Sequence, residues 1–219
     1  YWTGTENNIF TNPANWRLDV PQANDPVHIF KTLNTPFINE DYYLLNVFIH
    51  PGATLIFGPQ AKVRIDGHIF NESDPEGLWL QADENSGAMM INDGITGNAT
   101  FEYYASAFNG KHGWQLLSAP VNDQPIIPEF FAEPAIAGNN LFKWNEPEGQ
   151  WINSRLEDLT WNPEFETEFG MGIGYLASFE TGGIRQFKGY PYPGQFEYLL
   201  TNSGETGNGW HLIGNPFPS

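Results

Sequence analysis

Trp144, Trp151 and Trp161 fall within 18 residues of one another, in a loop-rich stretch where Asn145 and Gln150 are interleaved with them. Sugar rings lay their C–H faces on flat indoles while neighbouring amides exchange hydrogen bonds with hydroxyls. Trp144, Trp151, Trp161, Asn145 and Gln150 are therefore the candidate glycan contacts. Tyr190-Pro191-Tyr192-Pro193 adds aromatic surface later in the chain. The competing reading is burial, the average state of a tryptophan. Trp114 and Trp210, each flanked by apolar strand-like residues, are assigned to the core.

Other constellations are open to blander readings. Glu164, Glu166 and Glu168 alternate with Phe165 and Thr167, which sets three carboxylates on one face of a strand. Paired carboxylates hydrolyse glycosides when one sits in an apolar pocket, but in so acidic a chain such clustering arises by chance. His28, His50 and His68 recur about 20 residues apart at similar strand positions. They would stack on a solvated face of a β-helix, an arrangement as easily explained by polar surface as by a three-histidine metal site. Gly170-x-Gly172-x-Gly174 is followed by Tyr175-Leu176-Ala177-Ser178-Phe179, a strand and not the helix a phosphate loop needs, so close packing or a bulge is expected. Asp74, Asp83 and Glu84 lie in acidic loops that offer oxygen ligands to calcium, although neither loop has the fixed spacing of a calcium motif. No nucleophile elbow, zinc-protease helix or phosphate loop is present, and no catalytic residue is assigned.

Nine Lys plus Arg against 26 Asp plus Glu give a formal charge of −17. Such a field repels phosphate backbones and anionic lipid headgroups, so nucleic acid and membrane-surface partners are not expected. The excess of carboxylates makes calcium the one cofactor the composition suggests. There is no Cys, which excludes disulfides, thiolate metal sites and a thiol nucleophile. No apolar run is long enough to span a bilayer. With 17 Phe, 9 Tyr and 8 Trp the chain has ample apolar area for a core.

These residues need elements to position them, and the pattern is all-β. Runs such as Val27-His28-Ile29-Phe30, Val47-Phe48-Ile49, Leu55-Ile56-Phe57 and Val63-Arg64-Ile65 are closed by Pro51-Gly52, Gly58-Pro59 and Asp66-Gly67. Between about residues 26 and 104 they recur every 8 to 12 residues. That regularity suits a short parallel β-helix or a sandwich, and Pro51-Gly52-Ala53-Thr54-Leu55 followed by Ala61-Lys62-Val63-Arg64-Ile65-Asp66-Gly67 favours the β-helix. Helical character is confined to short stretches near Asp123 to Glu133 and Ser154 to Leu159. The texture changes near residue 105. We expect a β-helix-like region over 1–105 and an antiparallel β region, sandwich-like, over 106–219. Gly113-Trp114-Gln115-Leu116-Leu117 is echoed by Gly209-Trp210-His211-Leu212-Ile213, which suggests equivalent strands of two related units, the second of them truncated.

Several motifs resemble those of large secreted and outer-surface proteins of the Bacteroidota. Trp2-Thr3-Gly4-Thr5, Asn15-Trp16, Pro21 and Asp25-Pro26-Val27-His28-Ile29 are similar to the segment that precedes their β-helical coils. Gly209-Trp210-His211-Leu212-Ile213-Gly214-Asn215-Pro216-Phe217-Pro218-Ser219 resembles their GWNLIGNPYPS segment, with His211 and Phe217 as departures, and Gly170-Met171-Gly172-Ile173-Gly174-Tyr175-Leu176 resembles the strand before it. The resemblance implies export by the type IX secretion system and an extracellular or outer-surface location. It further implies a non-catalytic role in adhesion or surface architecture, with glycans or another surface protein as partner.

Overall fold

A computed structural model describes residues 1–109, 113–131, 139–192 and 196–216. Strands dominate it. The only helical elements among these residues are two short 3-10 turns, Pro13–Asn15 and Pro75–Gly77. No described helix is long and apolar enough to cross a membrane. The described residues of the two stretches read as helical form turns instead (Glu133 lies outside the described residues), and Asp123 has φ 54°. The chain divides into two compact units. One is built on Tyr1–Tyr104 and takes in Gln186–Pro193; the other is built on Ala105–Arg185 and takes in Gly194–Phe217.

The first unit is a parallel β-solenoid of about three turns. Its first sheet holds β1 (Val27–Ile29), β4 (Val47–Ile49), β7 (His68–Asn71) and β10 (Gly94–Thr96). Its second holds β2 (Phe37–Ile38), β5 (Leu55–Phe57), β8 (Leu78–Leu80) and β11 (Ala99–Ala105), with β16 (Gly183–Gly189) beside β11. Its third holds β3 (Asp41–Leu44), β6 (Lys62–Ile65) and β9 (Met89–Ile91). Consecutive strands lie in different sheets, and each pairs in parallel with the strand one turn away. Short strands with period-2 alternation suit this wrapping, because each turn of chain points one side-chain set inward and the other to solvent. Val27, Val47, Ile69 and Ile95 stand in one column, Leu55 and Leu78 in another, and Phe57 and Leu80 in a third, all buried. The solenoid core is a set of apolar columns.

A stack of coils has an open end, and residues 1–16 cover this one. Trp2, Phe10 and Trp16 are buried with ring centroids 4.8 to 6.1 Å apart, and Tyr42 joins Phe10 at 5.1 Å. The Trp2 N–H donates to the His28 carbonyl, and the Trp2 indole donates to the Asn34 carbonyl at 2.9 Å. Asn15, fully buried, accepts from the Glu6 and Asn7 N–H groups and donates to the Ile9 carbonyl and the Asn7 side chain. The leading Trp and Asn-Trp motifs are thus parts of a cap.

The second unit carries one four-stranded antiparallel sheet in the order β12 (Gln115–Leu117), β15 (Tyr175–Ser178), β13 (Asn140–Asn145), β14 (Gln150–Asn153). Leu117, Leu141, Tyr175 and Ala177 are buried on it. The two echoed segments are not equivalent strands. β12 pairs with Tyr175–Ala177, whereas the segment around Ile213 adjoins the residues just before, with Gly174 N–H to Leu212 O at 3.1 Å and Gly214 N–H to Gly172 O at 2.9 Å. This explains the glycine run: a Cβ on Gly172, where φ is +68°, would meet the Phe196 ring at 2.0 Å, and one on Gly174 would meet Leu212 at 2.6 Å. The run is a close-packing device.

Candidate functional site

The hairpin of β13 and β14 places Trp144 directly opposite Trp151, and Asn145 opposite Gln150. Opposed residues of an antiparallel pair share a face, so the two indoles meet, at 5.4 Å between centroids and 70° between planes. Trp210 completes the group from the far end of the chain, 4.9 Å from Trp144 and 5.9 Å from Trp151, again edge to face. The three rings are in mutual contact, which leaves no room between them for a cation, since an aromatic cage places its guest up to about 6 Å from each ring. What the cluster offers is its outer surface. Trp151 is 38% exposed and Trp210 47%, while Trp144 is half-buried with its Nε1–H enclosed and without a hydrogen-bond partner.

Sequence reasoning missed the residue that organises this cluster. Glu146 begins the hairpin turn and is buried. Its carboxylate accepts from the Ser203 N–H at 2.7 Å, the Ser203 hydroxyl at 2.8 Å, the Thr201 hydroxyl at 2.6 Å and the Gly209 N–H at 3.0 Å. Its carbonyl takes the Gly149 N–H. Four donors aimed at one carboxylate favour the charged form, and with the Ser203 N–H and Thr201 hydroxyl foremost they pull its pKa from 4.5 down to about 2. The segment 201–209 is strapped to the turn, and Trp210 follows directly on Gly209. The backbones approach so closely that a Cβ on Gly207 would lie 2.0 Å from the Glu146 carbonyl oxygen. No local pattern could reveal this pairing, because the donors stand 55 to 63 residues from the acceptor.

The remaining candidates are dispersed. Trp161 is not with the other two: it packs on Phe165 at 5.7 Å, and its indole N–H donates to the Phe165 carbonyl at 3.3 Å. Trp210 takes the place expected of it, and the assignment of Trp114 and Trp210 to the core is corrected, since they are 43% and 47% exposed. Asn145 is half-buried, and Gln150 is exposed and donates to Glu148. Glu164, Glu166 and Glu168 are all exposed and lie outside any named strand; Glu166 is paired with Lys143. Asp83 closes its own loop, accepting from the Asn85 and Ser86 N–H groups at 2.8 Å, which lowers its pKa. Asp74 caps the Pro75–Gly77 turn by position, and Glu84 is exposed. Among the described residues no group of three or more His, Asp or Glu side chains is placed to share an ion.

The outer face of the third solenoid sheet presents a second exposed surface, a groove of about 560 Å³ whose lining includes Tyr43, Lys62, Arg64, Met89 and Ile91. On the first sheet the histidines and phenylalanines of β1, β4 and β7, together with Phe30 and His50 directly after the first two of these strands, form an outward ladder, with His28 on Phe48 at 4.6 Å, Phe30 on His50 at 4.1 Å and Phe48 on Phe70 at 4.9 Å. These rings lie face to face and cover one another, so the ladder shows mainly its edges to solvent. His68 joins its end, hydrogen-bonded to Thr96 at 2.7 Å.

Comparison with curated proteins returns no match, and neither does comparison with solved structures. A family model described as "Domain of unknown function (DUF8693)" matches residues 1–219, and the chain belongs to that family.

Proposed function

We propose that this chain is a non-catalytic attachment module of a bacterial cell-surface or secreted adhesin-like protein, of the Bacteroidota type its motifs resemble, and that it contacts glycans through Trp151 and Trp210. One observation carries the reading: two partly exposed indoles are held against Trp144 by the Glu146 strap. A platform fixed before binding loses little conformational entropy when a ligand arrives. Asn145 and Gln150, the next pair along the hairpin, alternate to the opposite face of the sheet from Trp144 and Trp151, so the stacking face and not this amide pair carries the reading.

The test is a glycan array probed with the purified chain, once with calcium and once with a chelator. A hit should weaken at least about tenfold in Trp151→Ala and in Trp210→Ala, the effect of truncating an aromatic anchor. Trp161→Ala should leave it unchanged. Binding indifferent to both Trp151 and Trp210 would remove the cluster from the account. A blank array would leave attachment to another surface protein, for which the exposed Tyr43, Met89 and Ile91 face is the place to begin. Loss of binding in chelator would put calcium in the interaction.

A further inference from the structure

The aromatic ladder of the first sheet contains a pair of titratable groups that the attachment reading does not use. His28 Nδ1 and His50 Nε2 are 3.1 Å apart. Their ring planes differ by 13° and their centroids are 5.4 Å apart. That centroid separation is what results when the nitrogen–nitrogen line is extended by one ring radius at each end, so the two imidazoles lie nearly coplanar and meet edge to edge. Phenyl rings stack on both, Phe48 against His28 and Phe30 against His50. On its other nitrogen, Nδ1, His50 faces Glu72 Oε2 at 3.6 Å. This is too long for a hydrogen bond from a neutral ring and short enough for an ion pair with a charged one. The other charge facing the pair is the α-amino group of Tyr1, which acts on His28.

Head-on nitrogens at this distance share one proton: one donates and the other must accept. A metal bridging them would need either a longer separation, with the ion on the line, or lone pairs that converge at an angle, and the coplanar geometry supplies neither. We infer that Glu72, His50 and His28 form a one-proton latch between the first two coils of the solenoid, closed when the histidine pair is neutral or singly protonated and opened by a second proton. In the singly protonated state His50 carries the charge, donating from Nε2 to His28 Nδ1 and facing Glu72 with Nδ1–H, while the proton of His28 resides on Nε2. A second proton puts N–H groups on both facing nitrogens, and the contact has to separate. Burial, the neighbouring His50 and the α-amino group, in that order, all hold His28 below its ordinary value.

The experiment is a nitrogen-15 and proton NMR titration of the imidazoles in the whole chain, with Phe30 and Phe48 ring protons as reporters of stacking. The latch predicts two macroscopic steps separated by more than about one pH unit, with the upper on His50 and the loss of Phe30 and Phe48 stacking shifts confined to the lower. His28→Phe, which continues the ladder without a nitrogen, should collapse the two steps to one and abolish the acid-stage loss of stacking. Glu72→Gln changes an exposed side chain and tests the same idea without touching the ladder; it should lower the upper step and leave the lower one in place. Independent titration of the two histidines at similar pH in the unaltered chain, with the His50 step unmoved by His28→Phe and by Glu72→Gln, would overturn the latch.

Discussion

At the scale of single residues the controlling group is Glu146. Its folded pKa of about 2 lies below the 4.5 of an unperturbed glutamate, so its contribution to stability is complete above 4.5 and is lost as pH falls toward 2. Glu146→Gln should therefore lower the melting temperature at neutral pH and flatten the acid limb of a melting-temperature profile. Amide hydrogen exchange at Ser203 and Gly209 should accelerate in the same variant, because both N–H groups lose a charged acceptor. Exchange unchanged at both amides would show that the strap holds by other contacts. Two of the three indoles in the cluster are legible in the sequence: Pro147-Glu148-Gly149 marks a tight turn, and residues equidistant from a turn face one another. Trp210 is not legible, and Trp161 is misleading. Proximity along the chain stands in for proximity in space only within a hairpin, and Trp161 lies past its end.

At the scale of elements, the cap over the first coil depends on Asn15. Asn15→Ala would remove a fully buried side chain that accepts from the Glu6 and Asn7 N–H groups and donates to the Ile9 carbonyl, at a total cost of about 1–3 kcal/mol. A melt of this variant should show a clear loss of stability, whereas Asn12→Ala, at an exposed 3-10 turn, should cost about 1 kcal/mol or less. The strands themselves were readable, since alternation over three or four residues closed by Pro-Gly or Asp-Gly is a local signal. Their parallel stacking was readable only as a preference. Strands this short serve a sandwich equally well, and the coil-to-coil register that decides the matter is a long-range property. The two stretches with helical character became turns. Neither is long enough to offset the cost of helix nucleation without an apolar stripe to bury.

At the scale of the whole molecule, 26 acidic against nine basic side chains make the folded chain repel itself. Added sodium chloride should raise the melting temperature, most steeply at low ionic strength where the screening length shrinks fastest, and calorimetry at several salt concentrations would measure it. A salt-independent melt would mean that the carboxylates are locally compensated. The column of Val27, Val47, Ile69 and Ile95 advances by 20, 22 and 26 residues, yet its packing is continuous. The surplus residues are absorbed outside the strands, at the corners. Such a molecule lengthens by accretion: a corner can swell, or an entire coil can be copied, without any interior side chain acquiring a new kind of neighbour. Homologous chains are therefore expected to differ by whole multiples of a coil or by loops at corners, with the apolar columns preserved, so that length becomes a freely adjustable trait and the reach of the module can evolve separately from whatever it grips.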